Sequence, residues 1–331
     1  MNFKSILDQF RSLGGVAENI DIGIGKYGRG LFPVDKKLPV KLVVPENLLI
    51  NPEWISLDLN QQIILNDQCP LDKNIKSFFE NYQRFFGWGD GGFDSIKNHH
   101  EKLLALPEEI KQFLFIFGFI NEFELKATID YCLSTYISNR RIHYAKNKKE
   151  VLMPVMELVN HGLYGKKCTE KNGFELSGLF NEEILAMYSR NYDAFEFFRR
   201  YQFSSPASFT LSSSIIIQHP SFGELHIARM SRLSEIRNKL IIPKTKKIDN
   251  AIHFSFLELT NKNFPDVPKK IFSDLMKDYK ISNKISDEIF NGLIRKNREL
   301  ILDFLKTCDK YDLPLIDKLK TMAYDQLESS F

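Results

Sequence analysis

Apolar positions at the start of the chain come in short runs cut by glycine and proline. Between Gly14 and about Asp72, pieces such as KLVV, bounded by Pro39 and Pro45, predict brief strands joined by turns. From about Asn74 to Ser138 the spacing lengthens to three and four. IKSFFENYQRFF and the stretch from Ile110 to Ile137 predict helices, and GWGDGGF between them predicts a turn. Strand-like punctuation returns at Val151 to Pro154 and in SFTLSSSIII. Beyond His219 helical spacing is read in GELHIARMSRLSEIRNKLI, in KISDEIFNGLIRKNRELILDFLKTC and from about Leu315 onward. The pattern predicts an α+β chain: β-rich, a helical insert, β-rich again, then helical.

Composition narrows this picture. The 331 residues are 43% hydrophobic and 26% charged, which suits about two folded domains and excludes a disordered chain. Lys+Arg 45 against Asp+Glu 42 leaves +3, a balance that does not point to nucleic acid. Residues 218–331 carry 20 Lys+Arg against 16 Asp+Glu, a mildly basic solvated surface. The longest apolar run, Phe113 to Ile120, falls well short of the roughly 20 residues of a membrane span. Lys4, Asp8 and Arg11 interrupt the N-terminal stretch, which has no apolar signal core. The expectation is a cytoplasmic protein that does not engage a membrane. Cys69, Cys132, Cys168 and Cys308 form no CxxC and no zinc-like quartet, so free thiols and no metal are expected.

Gly23, Gly25 and Gly28 spell GxGxxG, and Glu46 lies where a dinucleotide fold wants its ribose acid. That fold needs a helix straight after the glycines to hold a pyrophosphate. Pro33 and Pro39 fall inside the would-be helix, where each costs roughly 3 kcal/mol. The reading that survives is a hairpin whose glycines let the backbone approach a ligand, or simply a tight turn.

Longer motifs decide between these. GKYGRGLF…LVVPENLLINPEW resembles the opening of SET-domain protein methyltransferases of the Rubisco large-subunit lysine methyltransferase type. The family's later motifs follow in order. Arg140 in SNRRI stands for the arginine of SRxF, PVMELVNHG resembles PxxDxxNH, NEEILAMYSRN resembles GEELxxxYGxxSN, FEFFRRYQF resembles ELLxxYGF, and SFTL matches the next strand. The resemblance implies a SET domain over residues 1–217, with small curled sheets and a helical insert at about 74–138. It implies an all-α C-terminal domain over 218–331 that docks a protein substrate.

The implied chemistry is transfer of a methyl group from S-adenosyl-L-methionine to the amine of a protein lysine, without metal. The amine must arrive neutral, since an ammonium has no lone pair, and a lysine starts near pKa 10.4. The resemblance assigns cofactor contact to Tyr27, Gly28, Arg29, Gly30 and Leu31, to Arg140, to Asn160 and His161, and to Phe203. It makes Tyr188 the catalytic tyrosine and Tyr201 its partner lining the lysine channel. Glu157 and Phe209 are implied on the substrate side.

Three departures from the family pattern stand out. Glu157 replaces an aspartate, and Tyr188-Ser189 and Tyr201-Gln202 replace two YG pairs. If either glycine normally adopts positive φ, its replacement costs of order 1 kcal/mol. These changes keep open a catalytically inactive SET-fold binding protein, and a methyltransferase acting on another side chain such as histidine.

Overall fold

The computed structural model describes all residues except 120–122, 124–125, 190–191, 207, 221, 230–241, 262–263 and 330–331. Two compact units emerge, residues 1–98 with 126–188, and residues 99–125 with 189–331.

In the first unit, the helix Phe3–Ser12 buries Phe3, Ile6, Leu7 and Phe10 on one side, the i, i+3, i+4, i+7 stripe of an amphipathic helix. An antiparallel sheet runs in the order Val16–Glu18, Val40–Pro45, Gly173–Gly178, Thr169–Lys171. Its central strand VKLVVP alternates, with Val40, Leu42 and Val44 fully buried. Gly173 sits opposite Pro45 at φ +118°, and a Cβ there would collide with the Val44 carbonyl. Separate hairpins form from Ile55–Leu57 with Ile63–Leu65 and from Ile142–Tyr144 with Lys149–Val151. The helix Lys73–Phe86 starts where the Asp72 carboxylate accepts the Asn74 N–H at 2.7 Å. It stops at GWGDGGF as the sequence predicts, with Gly91 at φ 81°. Trp88 is buried there and donates its indole N–H to Gln61 O at 2.8 Å.

The second unit packs a small sheet against helices. Its strands run Ile215–His219, Gly223–Ile227, Ala251–Phe254, Thr245–Ile248, and Ser208–Thr210 pairs with Glu258–Asn261. The helices Val267–Lys277, Asn283–Cys308 and Ile316–Glu328 close the chain. Phe117 stacks on Phe195 at 4.3 Å and meets Phe304 edge-on at 5.2 Å, so three elements distant in sequence share one aromatic core.

The α+β class holds, with two corrections to element reading. GELHIARM begins as a strand, not a helix: Leu225 and Ile227 are buried and His226 between them is only half-buried, a period of two. The rest of that expected helix, residues 230–241, lies outside the described residues. Among the described residues beyond 219, helix begins at Val267. The stretch from Ile110 to Ile137 is two helices, Glu108–Ile116 and Ile129–Arg140, the first ending ahead of Gly118 at φ 93°. Among the described residues no helix is long and apolar enough to cross a membrane, and no cluster of potential metal ligands occurs.

Candidate functional site

The glycine motif is a hairpin. Ile20–Gly25 pairs with Gly28–Pro33, and Gly25 faces Gly28 across the turn Lys26–Tyr27. Gly28 takes φ +89°, which closes the turn, and Tyr27 stands half out of it. No helix follows, in keeping with the rejection of a dinucleotide loop. Leu31 is fully buried in the core, while its carbonyl accepts the Ile184 N–H at 2.7 Å. The Arg29 guanidinium pairs with Asp90 and donates to Phe86 O at 2.9 Å, which ties the hairpin to the GWGDGGF turn.

Asn160 opens the strand Asn160–Lys166, 131 residues further along the chain. Its amide nitrogen donates to the Arg29 carbonyl at 3.0 Å and to Glu183 Oε1 at 2.5 Å. The Glu183 carboxylate lies over Gly25 and Gly30, so a Cβ on Gly30 would overlap both it and the Asn160 amide. Two glycines, an asparagine amide and a carboxylate thus form one cradle. Glu183 is absent from the motif-derived set although it lies inside NEEIL; its alternation with apolar Ile184 is the signal in the sequence.

Beside the cradle, His161 is buried and its Nδ1 accepts the Tyr188 N–H at 3.2 Å, with the two rings 5.3 Å apart. The Tyr188 hydroxyl donates to Val159 O at 2.6 Å. Burial lowers the His161 pKa from 6.5 to about 4, against a smaller opposing effect of a main-chain hydrogen bond with Ala186. The ring is therefore neutral at physiological pH.

A stability prediction follows. Between pH 6.5 and about 4 the unfolded chain protonates this histidine and the folded one does not, so stability is lost as pH falls through that window. At pH 5 the loss is of order 2 kcal/mol for His161, and His99, lowered to about 4 chiefly by burial, adds in the same direction. Urea midpoints at pH 7.5 and pH 5 should converge in His161→Asn relative to the parent. Equal pH dependence in both proteins rules the assignment out.

Arg140 ends the helix Ile129–Arg140, and its guanidinium lies 3.6 Å over the Tyr136 ring. The Tyr136 hydroxyl donates to Gln83 Oε1 at 2.7 Å, and Gln83 Nε2 donates to Glu157 Oε1 at 3.1 Å. Glu157 Oε2 is shut off from solvent, and burial raises its pKa, with Arg140 opposing. Expected on the substrate side, Glu157 instead belongs to this interior polar network. Its turn, Met156–Leu158, is entered through Val155 at φ 69°, a costly conformation for a β-branched residue.

Tyr201, Phe203 and Phe209 belong to the second unit. Tyr201 ends the helix Ala194–Tyr201 and stacks on Phe203 at 5.7 Å, with Phe197 5.7 Å from Phe203. Gln202 takes φ 63°, ψ 16°, so one of the two altered YG pairs does occupy a left-handed position and bears a cost of order 1 kcal/mol. Ser189 is not among the positive-φ residues. Phe209, expected as an aromatic wall, is completely buried in the core and offers no face to a ligand.

The cradle can receive a small cationic group, since it combines an amide oxygen, a carboxylate and closely approachable backbone. No family model and no curated protein matches the sequence. Among solved structures, the chain is similar to the SET domain of LSMT bound to lysine and AdoHcy. The TM-score is 0.40 and the identity 14%, over 99% of this chain and 88% of that chain. The same domain bound to methyllysine and AdoHcy gives the same values.

Proposed function

We propose that this chain is an S-adenosyl-L-methionine-dependent protein-lysine N-methyltransferase of the SET type. The carrying observation is the Asn160 amide on the Arg29 carbonyl: it joins PVMELVNHG to GKYGRGLF, the two motifs that the resemblance gives to cofactor binding. The residues present fit such a group. With no Cβ on Gly30, the Asn160 amide and the Glu183 carboxylate lie directly against the hairpin backbone, and their acceptor oxygens suit the cationic part of the cofactor.

When bound, the cofactor supplies a methyl group activated by a sulfonium. The remaining work falls to the chain. The hairpin backbone from Tyr27 to Leu31 and Asn160 bind and orient. His161, neutral and hydrogen-bonded to the Tyr188 main chain, fixes that tyrosine and takes no part in proton transfer. The Tyr188 hydroxyl donates its hydrogen to Val159 O, which holds the phenol in place, and in this reading its oxygen orients the substrate amine. Alignment of a desolvated amine then supplies most of the rate. Tyr201 and Phe203 present stacked rings suited to an alkylammonium. In this reading residues 1–217 are the catalytic domain, with an insert at about 74–138, and 218–331 docks the protein substrate.

Calorimetric titration of the purified protein with S-adenosyl-L-methionine tests the proposal. Binding in the micromolar range, about −8 kcal/mol, is expected, with loss of at least tenfold in Asn160→Ala. Absence of heat together with absence of retention in equilibrium dialysis overturns it.

A further inference from the structure

We infer that Glu183 is a ligand-binding residue, the anionic acceptor for a primary ammonium held in the Gly25/Gly30 cradle; this rests on the proposed methyltransferase reading and deepens it to the amino-acid end of the cofactor. The bookkeeping of hydrogen bonds carries the argument. Asn160 has two amide hydrogens, and both are spent, one on the Arg29 carbonyl and one on Glu183 Oε1. Asn160 therefore has nothing left to offer an incoming carboxylate. What the cradle presents is acceptors. Glu183 Oε2 and Asn160 Oδ1 have no hydrogen-bond donor among the described residues, and no described lysine, arginine or histidine pairs with Glu183.

The position of that carboxylate is built rather than casual. Its two oxygens occupy the places that a Cβ on Gly25 and a Cβ on Gly30 would take, so a side chain at either position would have to displace the carboxylate. The next residue is pinned by the Ile184 N–H on the Leu31 carbonyl at 2.7 Å, and Ile184 itself is fully buried. A half-buried carboxylate fixed by one hydrogen bond and lacking a cation is complemented by a group with positive charge and several N–H donors. An α-ammonium meets that description; an α-carboxylate would meet like charge.

The test compares two probes on the intact chain, S-adenosyl-L-methionine and methylthioadenosine, which shares the nucleoside and thioether but lacks the amino-acid end. In Glu183→Gln, which keeps the shape and an acceptor oxygen, affinity for S-adenosyl-L-methionine should fall ten- to a hundredfold while affinity for methylthioadenosine stays within twofold. Glu183→Asp, which keeps the charge but shortens the reach, should fall between parent and Gln variant. Unchanged or tighter binding of S-adenosyl-L-methionine in Glu183→Gln overturns the inference, since the carboxylate would then be only a plug competing for the cradle. Equal weakening of both probes also overturns it and makes Glu183 a structural residue. If the parent chain binds neither probe, the methyltransferase reading itself fails, a result distinct from the other two.

Discussion

Asp193→Ala should destabilise the second unit by about 3–5 kcal/mol, the range for removing one partner of a buried ion pair. Asp193 is nearly enclosed and caps the helix Ala194–Tyr201, accepting the Glu196 N–H at 2.8 Å. Its other oxygen receives the Thr210 hydroxyl and lies 3.3 Å from Arg229 Nη1, which also donates to Leu211 O at 2.8 Å. Removing the carboxylate leaves the Arg229 guanidinium buried without its counter-charge, and Arg229 Nε is already without a partner. The lost cap adds roughly 1 kcal/mol. Chemical denaturation should show a lower midpoint with the same slope. Lys310→Ala is the control, since its bond to Glu109 at 2.9 Å is solvent-exposed and its loss should leave the midpoint in place. A midpoint shift no larger for Asp193→Ala than for Lys310→Ala refutes the structural weight given to the buried pair.

That pair also marks what a single sequence conceals. Asp193 and Arg229 are 36 residues apart, with no motif in the sequence linking them, and only the fold brings them together. Elements set by local rules were legible: the prolines at 33 and 39 forbade a helix, and the GxGxxG segment is the hairpin they left. GELHI was misread because its apolar residues fit period two and a helical face equally over so few positions, and pairing with Ala251–Phe254 decided it. In the candidate site, Gly30, Asn160, His161 and Tyr188 follow from motif order, and the first unit places the Asn160 amide over Gly30 and bonds the Tyr188 N–H to the His161 ring. Glu157 and Phe209 were named the same way yet lie in interior positions, since motif order carries no information about burial. Glu183 is not legible in the sequence, because a carboxylate in an EE pair reads as surface until a glycine opposite makes room for it.

Tyr188→Phe should abolish methyl transfer while leaving affinity for S-adenosyl-L-methionine within about twofold. A loss of at least 10²–10³-fold is expected, the range for deleting one transition-state hydrogen-bonding group. The hydroxyl has two possible uses, and they separate in measurement. Its bond to Val159 O at 2.6 Å is structural, and Val159 is almost completely buried, so the variant leaves a carbonyl short of a donor. That alone costs about 1–3 kcal/mol of stability. It would lower the melting temperature without altering the rate of the folded protein. The use in the proposed reaction is different: there the hydroxyl orients the substrate amine and acts only while it is being methylated. Transfer of labelled methyl groups to extract proteins at saturating cofactor, below the variant's melting range, reads the second use alone. Mass spectrometry of the labelled protein should place the mark on lysine; a mark on imidazole removes the lysine assignment while keeping the methyltransferase. If labelling persists in Tyr188→Phe at the parent rate, Tyr188 is a positioning residue for the Val159 turn, and the catalytic group must be sought elsewhere in the chain.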